Sequence, residues 1–424
     1  ARHHVQAAQG HSQARAGDDV RPGVLEAIAA EAPGPGGQRQ IGLQPPWPVG
    51  LPDDAAERVQ KLLSDFGDLG QWGAAELGAL REELLRAEDR SASGAWYTPA
   101  EVAGPLTCAA FRQVADWYLD DDPADVLKVS VLDPACGGGV FLVAAARLLA
   151  ALYVSRLYRT QRPAPLTVQA VMADVLKSCV YGIDTDPVAV DLAKSACWLE
   201  TSGFTPITWL DDNIIVGNAL DGDMPSTLAG RLNCERPFVI VGNPPYRDKA
   251  KGAAPWIEAR RPRRAADRTP DELWRPSMDE FRMPGQGRME YSLSNLYAFF
   301  WRWALWRVFE TRMNCGAVAF LTPSAWLAGE GFSGMRAAMR RTADQILVVD
   351  LSPEGKAPPV PTRIFPGVTL PLCAAVLIRR GGPRPDDLAP AHYATVAGTR
   401  EDKFRQLEQL LDGSSAGERT SGDS

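Results

Sequence analysis

The chain has 424 residues, 45% of them apolar and 23% charged, with a formal net charge of −7. That length allows a large core or two domains, and the composition is that of an ordinary globular chain. The acidic balance excludes a uniformly basic surface, so any nucleic-acid site must be a local patch.

Histidine excludes more. Three of the four, His3, His4 and His11, lie at the start and the fourth is His392. A Ser-His-Asp hydrolase or a His-rich metal centre in the middle of the chain is thereby set aside, and no metal is expected. The cysteines (Cys108, Cys136, Cys179, Cys197, Cys234, Cys315 and Cys373) form no C-x-x-C pair. Scattered thiols suit a reducing, cytoplasmic compartment. We see no signal peptide and no apolar run approaching about 18–20 residues, so neither secretion nor membrane contact is expected.

Residues 1–54 are rich in Ala, Gly, Pro, Gln and Arg without periodicity. They read as a low-complexity, disordered region. Over 55–92 the apolar residues Val59, Leu62, Leu63, Phe66, Leu77, Leu80, Leu84 and Leu85 recur at helical spacing, which predicts a helical lead-in. The segment from Ser93 to Pro99 breaks that pattern and opens a main domain expected over 93–400. A helix is predicted after it, with Thr98 as N-cap and Pro99 in the first helical position.

Val129 to Leu132 reads as a short buried strand. It runs into Asp133-Pro134-Ala135-Cys136-Gly137-Gly138-Gly139 and then an apolar helix from Val140 to about Tyr158. Strand, glycine-rich turn, helix opens a nucleotide-type α/β unit, and glycines let the backbone approach a ligand. No Gly-Lys-Ser/Thr follows, so this is not a P-loop. In G-x-G-x-x-G the third glycine would fall at Leu142, so the dinucleotide fingerprint fails as well. An acid before the glycines suits a ligand with an amino group rather than a pyrophosphate. A second strand, Cys179 to Ile183, ends in Asp184-Thr185-Asp186-Pro187. Asp184 stands where ribose hydroxyls are held in such folds, and Asp186, before Pro187, is a natural N-cap. Ile214 to Leu220 reads as the third strand and its exit loop.

The strand Phe238 to Gly242 must stop at Asn243-Pro244-Pro245-Tyr246, because two prolines cannot continue a ladder. The Asn243 side-chain oxygen and the Pro244 carbonyl can both accept from one amino group. Pro245 helps fix the carbonyl's direction, and Tyr246, read as exposed, can stack on a planar ring. Two acceptors on one exocyclic amine draw its lone pair out of the ring and free it for attack. The plain alternative is a turn.

Residues 247–289 are basic and weakly periodic (Arg247, Lys249, Lys251, Arg260, Arg261, Arg263, Arg264, Arg268, Arg275), with Trp256 and Trp274 among them. They read as a loop that grips a phosphate backbone or, alternatively, as a solvated insertion. Further on, the sequence predicts an aromatic helix from Ser294 to about Glu310 and a strand from Gly316 to Leu321. A helix at Gly334–Arg341, strands at Ile346–Leu351 and Pro371–Ile378, and a C-terminal helix and tail over 401–424 complete the chain.

Taken together, Trp96-Tyr97-Thr98-Pro99, Asp133 to Gly139, Gly182-Ile183-Asp184-Thr185-Asp186-Pro187, Asn243 to Tyr246, Asn295-Leu296-Tyr297 and Phe365-Pro366 stand in one order. This set resembles the γ-class adenine-N6 DNA methyltransferases of restriction–modification and phage-defence systems, the Eco57I-like branch in particular, over roughly Ala87 to Arg400. The resemblance implies an α/β, Rossmann-like, S-adenosylmethionine-dependent methyltransferase fold, with a mostly parallel seven-stranded sheet flanked by helices. It implies S-adenosylmethionine as cofactor. Tyr97, Thr98, Pro99, Asp133, Ala135, Cys136, Gly137 and Gly139 would hold its methionine part and Asp184 its ribose. Asn218, often Asp in the family, would meet its adenine, and Phe300 would wall the pocket. Asn243 and Pro244 would accept from the target N6 amine, and Tyr246 and Phe365 would sandwich the flipped base. Gly138 replaces the family's usual Ser and removes a hydroxyl.

Double-stranded DNA is the implied partner. The family usually carries a target-recognition domain after the Phe365 region, and too few residues remain here for one. Either a separate recognition or restriction subunit reads the site, or this chain is part of a longer protein. Two other readings stay open at this point. One is an N-methyltransferase acting on RNA guanine or a protein glutamine, and the other a cofactor-binding module inactive alone.

Overall fold

The computed structural model describes residues 98–411, apart from 120–121, 202–206, 223–225, 230, 233–236, 261–274, 286, 288, 312–314, 356–361, 366–367 and 383–386. The expectations for 1–54 and 55–92, for Trp96, Tyr97 and Pro366, and for Arg261, Arg263, Arg264, Arg268 and Trp274 lie outside the described residues.

The described chain is α/β. Its strands are β1 (Ser130–Asp133), β2 (Val180–Asp184), β3 (Ile214–Val216), β4 (Phe238–Gly242), β5 (Gly316–Pro323), β6 (Gln345–Asp350), β7 (Leu372–Arg379) and β8 (Ala391–Thr395). They form one sheet in the order β3-β2-β1-β4-β5-β7-β6-β8. β3, β2, β1, β4 and β5 pair in parallel, whereas β7 is antiparallel to both β5 and β6. The sheet has eight strands among the described residues rather than the expected seven. The eighth, β8, lies at the edge in parallel with β6 and is largely exposed. Its Ala-His-Tyr-Ala-Thr carries no apolar run, because an edge strand with little buried surface needs none.

The main helices are α1 (Ala100–Tyr118), α2 (Val140–Tyr158), α3 (Pro165–Cys179), α4 (Pro187–Leu199), α5 (Leu296–Leu305), α6 (Ser333–Thr342) and α7 (Arg400–Leu411). α2 packs on α1, α3 and α4 and on β1 and β2. Contrary to the sequence expectation, its stretch Val140–Leu157 is long and apolar enough to cross a membrane, although half of that window is buried within the fold. A helix covered on several sides is apolar all round, which is why length and composition alone do not distinguish the two cases.

α5 supplies much of the core beside β4 and β5. Trp301 meets Phe320 of β5 edge-on at 4.9 Å and Trp326 at 6.0 Å. The helix continues as a π-helical turn, Trp306–Glu310. Across that turn Arg302, only 1% exposed, donates from both terminal nitrogens to Glu310 at 2.8 and 2.7 Å, and from Nε to the Ser277 carbonyl at 3.0 Å. A bidentate carboxylate plus a carbonyl satisfies the buried guanidinium. It also anchors the returning end of the basic segment, where Met278 and Phe281 join the core.

α7 packs against α1 and sends Lys403, fully buried, toward the loop between β6 and β7. Lys403 Nζ donates to the Leu351 carbonyl and to Glu354 Oε1, each at 2.7 Å. Glu354 also accepts from the Thr362 hydroxyl. Burial alone would raise the Glu354 carboxyl, but the hydrogen bonds from Lys403 and Thr362 hold it below the usual carboxylate range. A depressed acid stabilises the fold above its unfolded pKa, and that contribution is lost as pH falls through the folded value. Lys403→Ala is therefore expected to cost about 2–4 kcal/mol at pH 7. Urea unfolding as a function of pH should show the deficit narrowing in acid; a deficit independent of pH would exclude the ion pair as its source.

Candidate functional site

β1 lies between β2 and β4, with Leu132 opposite Tyr181 on one side and Ile240 on the other. That register brings Asp133, Asp184 and the segment after Gly242 to one edge of the sheet. The strand order reverses between β1 and β4, and open α/β sheets bind ligands at such a switch.

Asp133 is 1% exposed, and its Oδ1 accepts from the Ala135 N–H at 3.0 Å. Burial pushes its carboxyl up to about 8; the Ala135 bond opposes this and the nearby Asp184 charge adds to it. Gly242, the last residue of β4, makes the approach possible: a Cβ there would stand 2.7 Å from Asp133 Oδ1. A glycine directly before the Asn of a strand-end turn is a sequence signal for such close passage.

The glycine-rich turn is stitched to β2. The Cys136 N–H donates to the Ile183 carbonyl at 2.9 Å, and the Gly137 N–H to Asp184 Oδ2 at 2.8 Å. Gly139 caps α2 with φ 85°, and a Cβ on it would lie 2.9 Å from the Ala193 Cα of α4. Gly137, at φ 52°, faces open space. Asp184 is thus a strut as well as a surface acid; its Oδ1 accepts from the Asp186 N–H at 2.9 Å. Asp186 caps α4 through the Val188 N–H, as its place before Pro187 predicts. Asn218 Oδ1 accepts from the Leu220 N–H at 3.1 Å and so shapes the turn Ala219–Asp221. That turn packs on α5, where Phe300 is buried in one apolar cluster with Ala219 and Leu220. The Trp303 indole N–H reaches the Gly222 carbonyl at 3.3 Å and fastens the contact.

Asn243 is held at both ends of its amide. Its Nδ2 donates to Thr98 Oγ1 at 3.0 Å, and the Tyr246 hydroxyl donates to its Oδ1 through a short bond. Two expectations are corrected by this. Thr98 is not the N-cap of α1: the helix starts at Ala100 with Pro99 in the capping position, and the Val102 and Ala103 N–H groups bond to the Pro99 carbonyl. The Thr98 hydroxyl turns instead to a residue 145 positions away. Tyr246 is not exposed but 93% buried (7% accessible), and burial pushes its phenol well above the ordinary value. Pro244 is buried and Pro245 partly so, and among the described residues no hydrogen bond reaches the Pro244 carbonyl. The chain beyond is tied to the start of α5 by the bonds of Leu296 N to Arg247 O (2.9 Å) and Ala250 N to Ser294 O (2.7 Å). Arg247, Lys249 and Lys251 are exposed there. Phe365 is buried on the β6–β7 loop, the loop to which Lys403 is bonded.

Residues 119–255 match the family described as MmeI, DNA-methyltransferase domain. The match takes in Asp133, Asp184, Asn218 and the tetrapeptide, and leaves Thr98, Phe300 and Phe365 outside. Over 218 residues the chain is 25% identical to DNA methyltransferase A of Bacillus subtilis (strain 168), covering 45% of this chain and 24% of that protein. Among solved structures it is similar to the ATP-dependent Type ISP restriction-modification enzyme LlaBIII bound to DNA, with TM-score 0.57, 15% identity, 86% of this chain and 26% of that one. It is also similar to the DrdV–DNA complex, with TM-score 0.52, 19% identity, 79% of this chain and 31% of that one. The structural likenesses show the fold. The chain spans less than a third of the length of each of these proteins.

The raised Asp133 carboxyl has a thermodynamic signature. Folded protein holds a proton, up to about pH 8, that the unfolded chain releases near the ordinary aspartate value of 3.8. The associated stability is fully present below the lower value and lost as pH rises through the upper one, at about 1.4 kcal/mol per pH unit at most. Melting of the ligand-free chain between pH 5 and 9 should therefore fall more steeply than that of Asp133→Asn; parallel curves would mean that Asp133 stays ionised.

Proposed function

We propose that this chain is the methyl-transfer module of a restriction–modification DNA methyltransferase of the γ-class, Eco57I-like arrangement, acting on N6 of an adenine turned out of the duplex. The observation that carries the reading is the amide of Asn243, held from both ends, at a strand end beside the buried acid Asp133. The matched DNA-methyltransferase family supports it.

S-adenosylmethionine fits the residues present. Gly137 leaves open space where a side chain would intrude, and Asp133 and Asp184 are acids suited to an ammonium or sulfonium and to ribose hydroxyls. Pro99, Ala135, Cys136 and Gly139 would shape the methionine end, with Tyr97 as a further proposed contact. Asn218 and Phe300 would bound the adenine end. When bound, this cofactor supplies an electrophilic methyl group.

The chain's own groups prepare the nucleophile. An amide oxygen has two lone pairs, so Asn243 Oδ1 can accept from the target amine beside or in place of the Tyr246 hydroxyl. The Pro244 carbonyl is a second acceptor, held in direction by Pro245. Together they pull on both N–H bonds and localise the nitrogen lone pair, a positioning and electrostatic effect. Tyr246 and Phe365 would stack on the flipped base, offsetting the few kcal/mol lost on leaving the helix stack. The exposed Arg247, Lys249 and Lys251 would meet the phosphate backbone of double-stranded DNA beside that base. A separate target-recognition or restriction subunit is a further proposed partner, and cytoplasmic residence fits the scattered cysteines.

Transfer of labelled methyl from S-adenosylmethionine to unmethylated genomic DNA tests the reading, with the product expected as N6-methyladenine. Label on RNA or protein and never on DNA would replace the substrate. Asn243→Ala should lower the transfer rate by about 10²–10³-fold with cofactor affinity retained. Cofactor binding at pH 7 should also release close to one proton, as a cation beside Asp133 restores its ionised form. Calorimetry in buffers of different ionisation enthalpy reads this directly, and Asp133→Asn should abolish it.

A further inference from the structure

The geometry points to Thr98 as the residue that aims the Asn243 amide at the target amine, a positioning role within the methyl-transfer reading on which it rests. The torsion that orients an Asn side-chain amide is soft and broad, unlike the staggered torsions nearer the backbone. Hydrogen bonds weaken steeply once their angle closes, so an acceptor meant to polarise an amine needs its plane fixed. Two described hydrogen bonds contribute to this here. The Tyr246 hydroxyl sits on Oδ1, and Thr98 Oγ1 accepts from Nδ2 at 3.0 Å.

These two restraints differ in kind. The Tyr246 hydroxyl bonds to the very oxygen that the target amine needs, and its ring is the one proposed to stack on the base. Tyr246 must therefore share or give up that oxygen when a base enters. The Thr98 bond is on the other end of the amide and leaves that oxygen open. It also comes from a rigid source. Thr98 is 4% exposed, and it precedes Pro99, whose φ is −60° and whose carbonyl receives the first N–H groups of α1. α1 in turn packs on β4 and β5, so the hydroxyl is carried by a helix seated against the strand that ends just before Asn243. Occupied by a base, the amide keeps its direction through Thr98.

This differs from the role that the sequence resemblance implies for Thr98, which is to hold the methionine part of the cofactor. The two roles separate in one set of measurements on the full chain. Thr98→Val keeps the shape and removes the acceptor; Thr98→Ser keeps the acceptor. If Thr98 aims the amide, Thr98→Val lowers single-turnover methyl transfer to DNA by about tenfold or more. Its calorimetric affinity for S-adenosylmethionine stays at the wild-type value, and Thr98→Ser recovers most of the rate. A loss of cofactor affinity that accounts for the whole loss of rate would overturn the inference, as would an unchanged rate. A second readout is independent of any activity. Thr98→Val should lower the Tm in the wild-type background and leave it unchanged in an Asn243→Ala background. Equal losses in both backgrounds would overturn the inference. A wild-type chain that methylates RNA or protein and never DNA would instead overturn the proposed substrate, and the melting comparison alone would then decide the role of Thr98.

Discussion

The register of β1 between two parallel neighbours is the constraint on which the site depends. Pairing Leu132 with Tyr181 and with Ile240 brings the ends of three strands close together, so that Asp133, Asp184 and the tetrapeptide after Gly242 emerge on one side. A slip of one residue would reverse the facing of every side chain on a strand. The close passage of Gly242 against the Asp133 carboxylate shows how little play remains. The hydrogen bonds from Gly137 and Asp186 to Asp184 then lock the first two loops to each other, and a carboxylate with several bonds keeps them in place.

Around this frame, buried charges serve as fasteners for irregular segments. Arg302 holds the Ser277 end of the basic segment to α5, and Lys403 holds the β6–β7 loop to α7. Desolvating a cation is costly, yet once every donor is satisfied the same low dielectric makes its removal costlier still. The loops carrying Phe365 and the chain beyond Tyr246 are thereby linked to helices distant in sequence.

Much of this frame was legible before the structure. β1, β2 and β4 are short apolar runs, buried on both faces, that stop abruptly at an acid or at Pro-Pro, and such runs read clearly. Asp186 could be placed as a cap because its partner is two residues away. What could not be read were features decided by distant neighbours. The Thr98 hydroxyl follows every local rule for an N-cap, yet it is turned to Asn243 because β4 lies beside the start of α1. Tyr246 next to Pro-Pro suggests a turn residue in the open, but the fold closes over it. β8 has no apolar pattern because its identity as a strand comes from pairing with β6. The apolar α2 defeated a judgement based on run length because its environment is protein on several sides.

The span between Thr98 and Asn243 has a consequence for how the protein is made. The two residues are 145 positions apart, and β1, β2 and β3 with their helices lie between them. Contacts so distant along the chain form only after the intervening loops have closed, because closure entropy must first be overcome. On a ribosome the hydroxyl emerges long before its amide partner exists. A nascent chain can thus assemble β1 and β2 while Asn243 is still unsynthesised. Such an order makes the Asn243 amide one of the later parts to be aimed, after the sheet that supports it is in place.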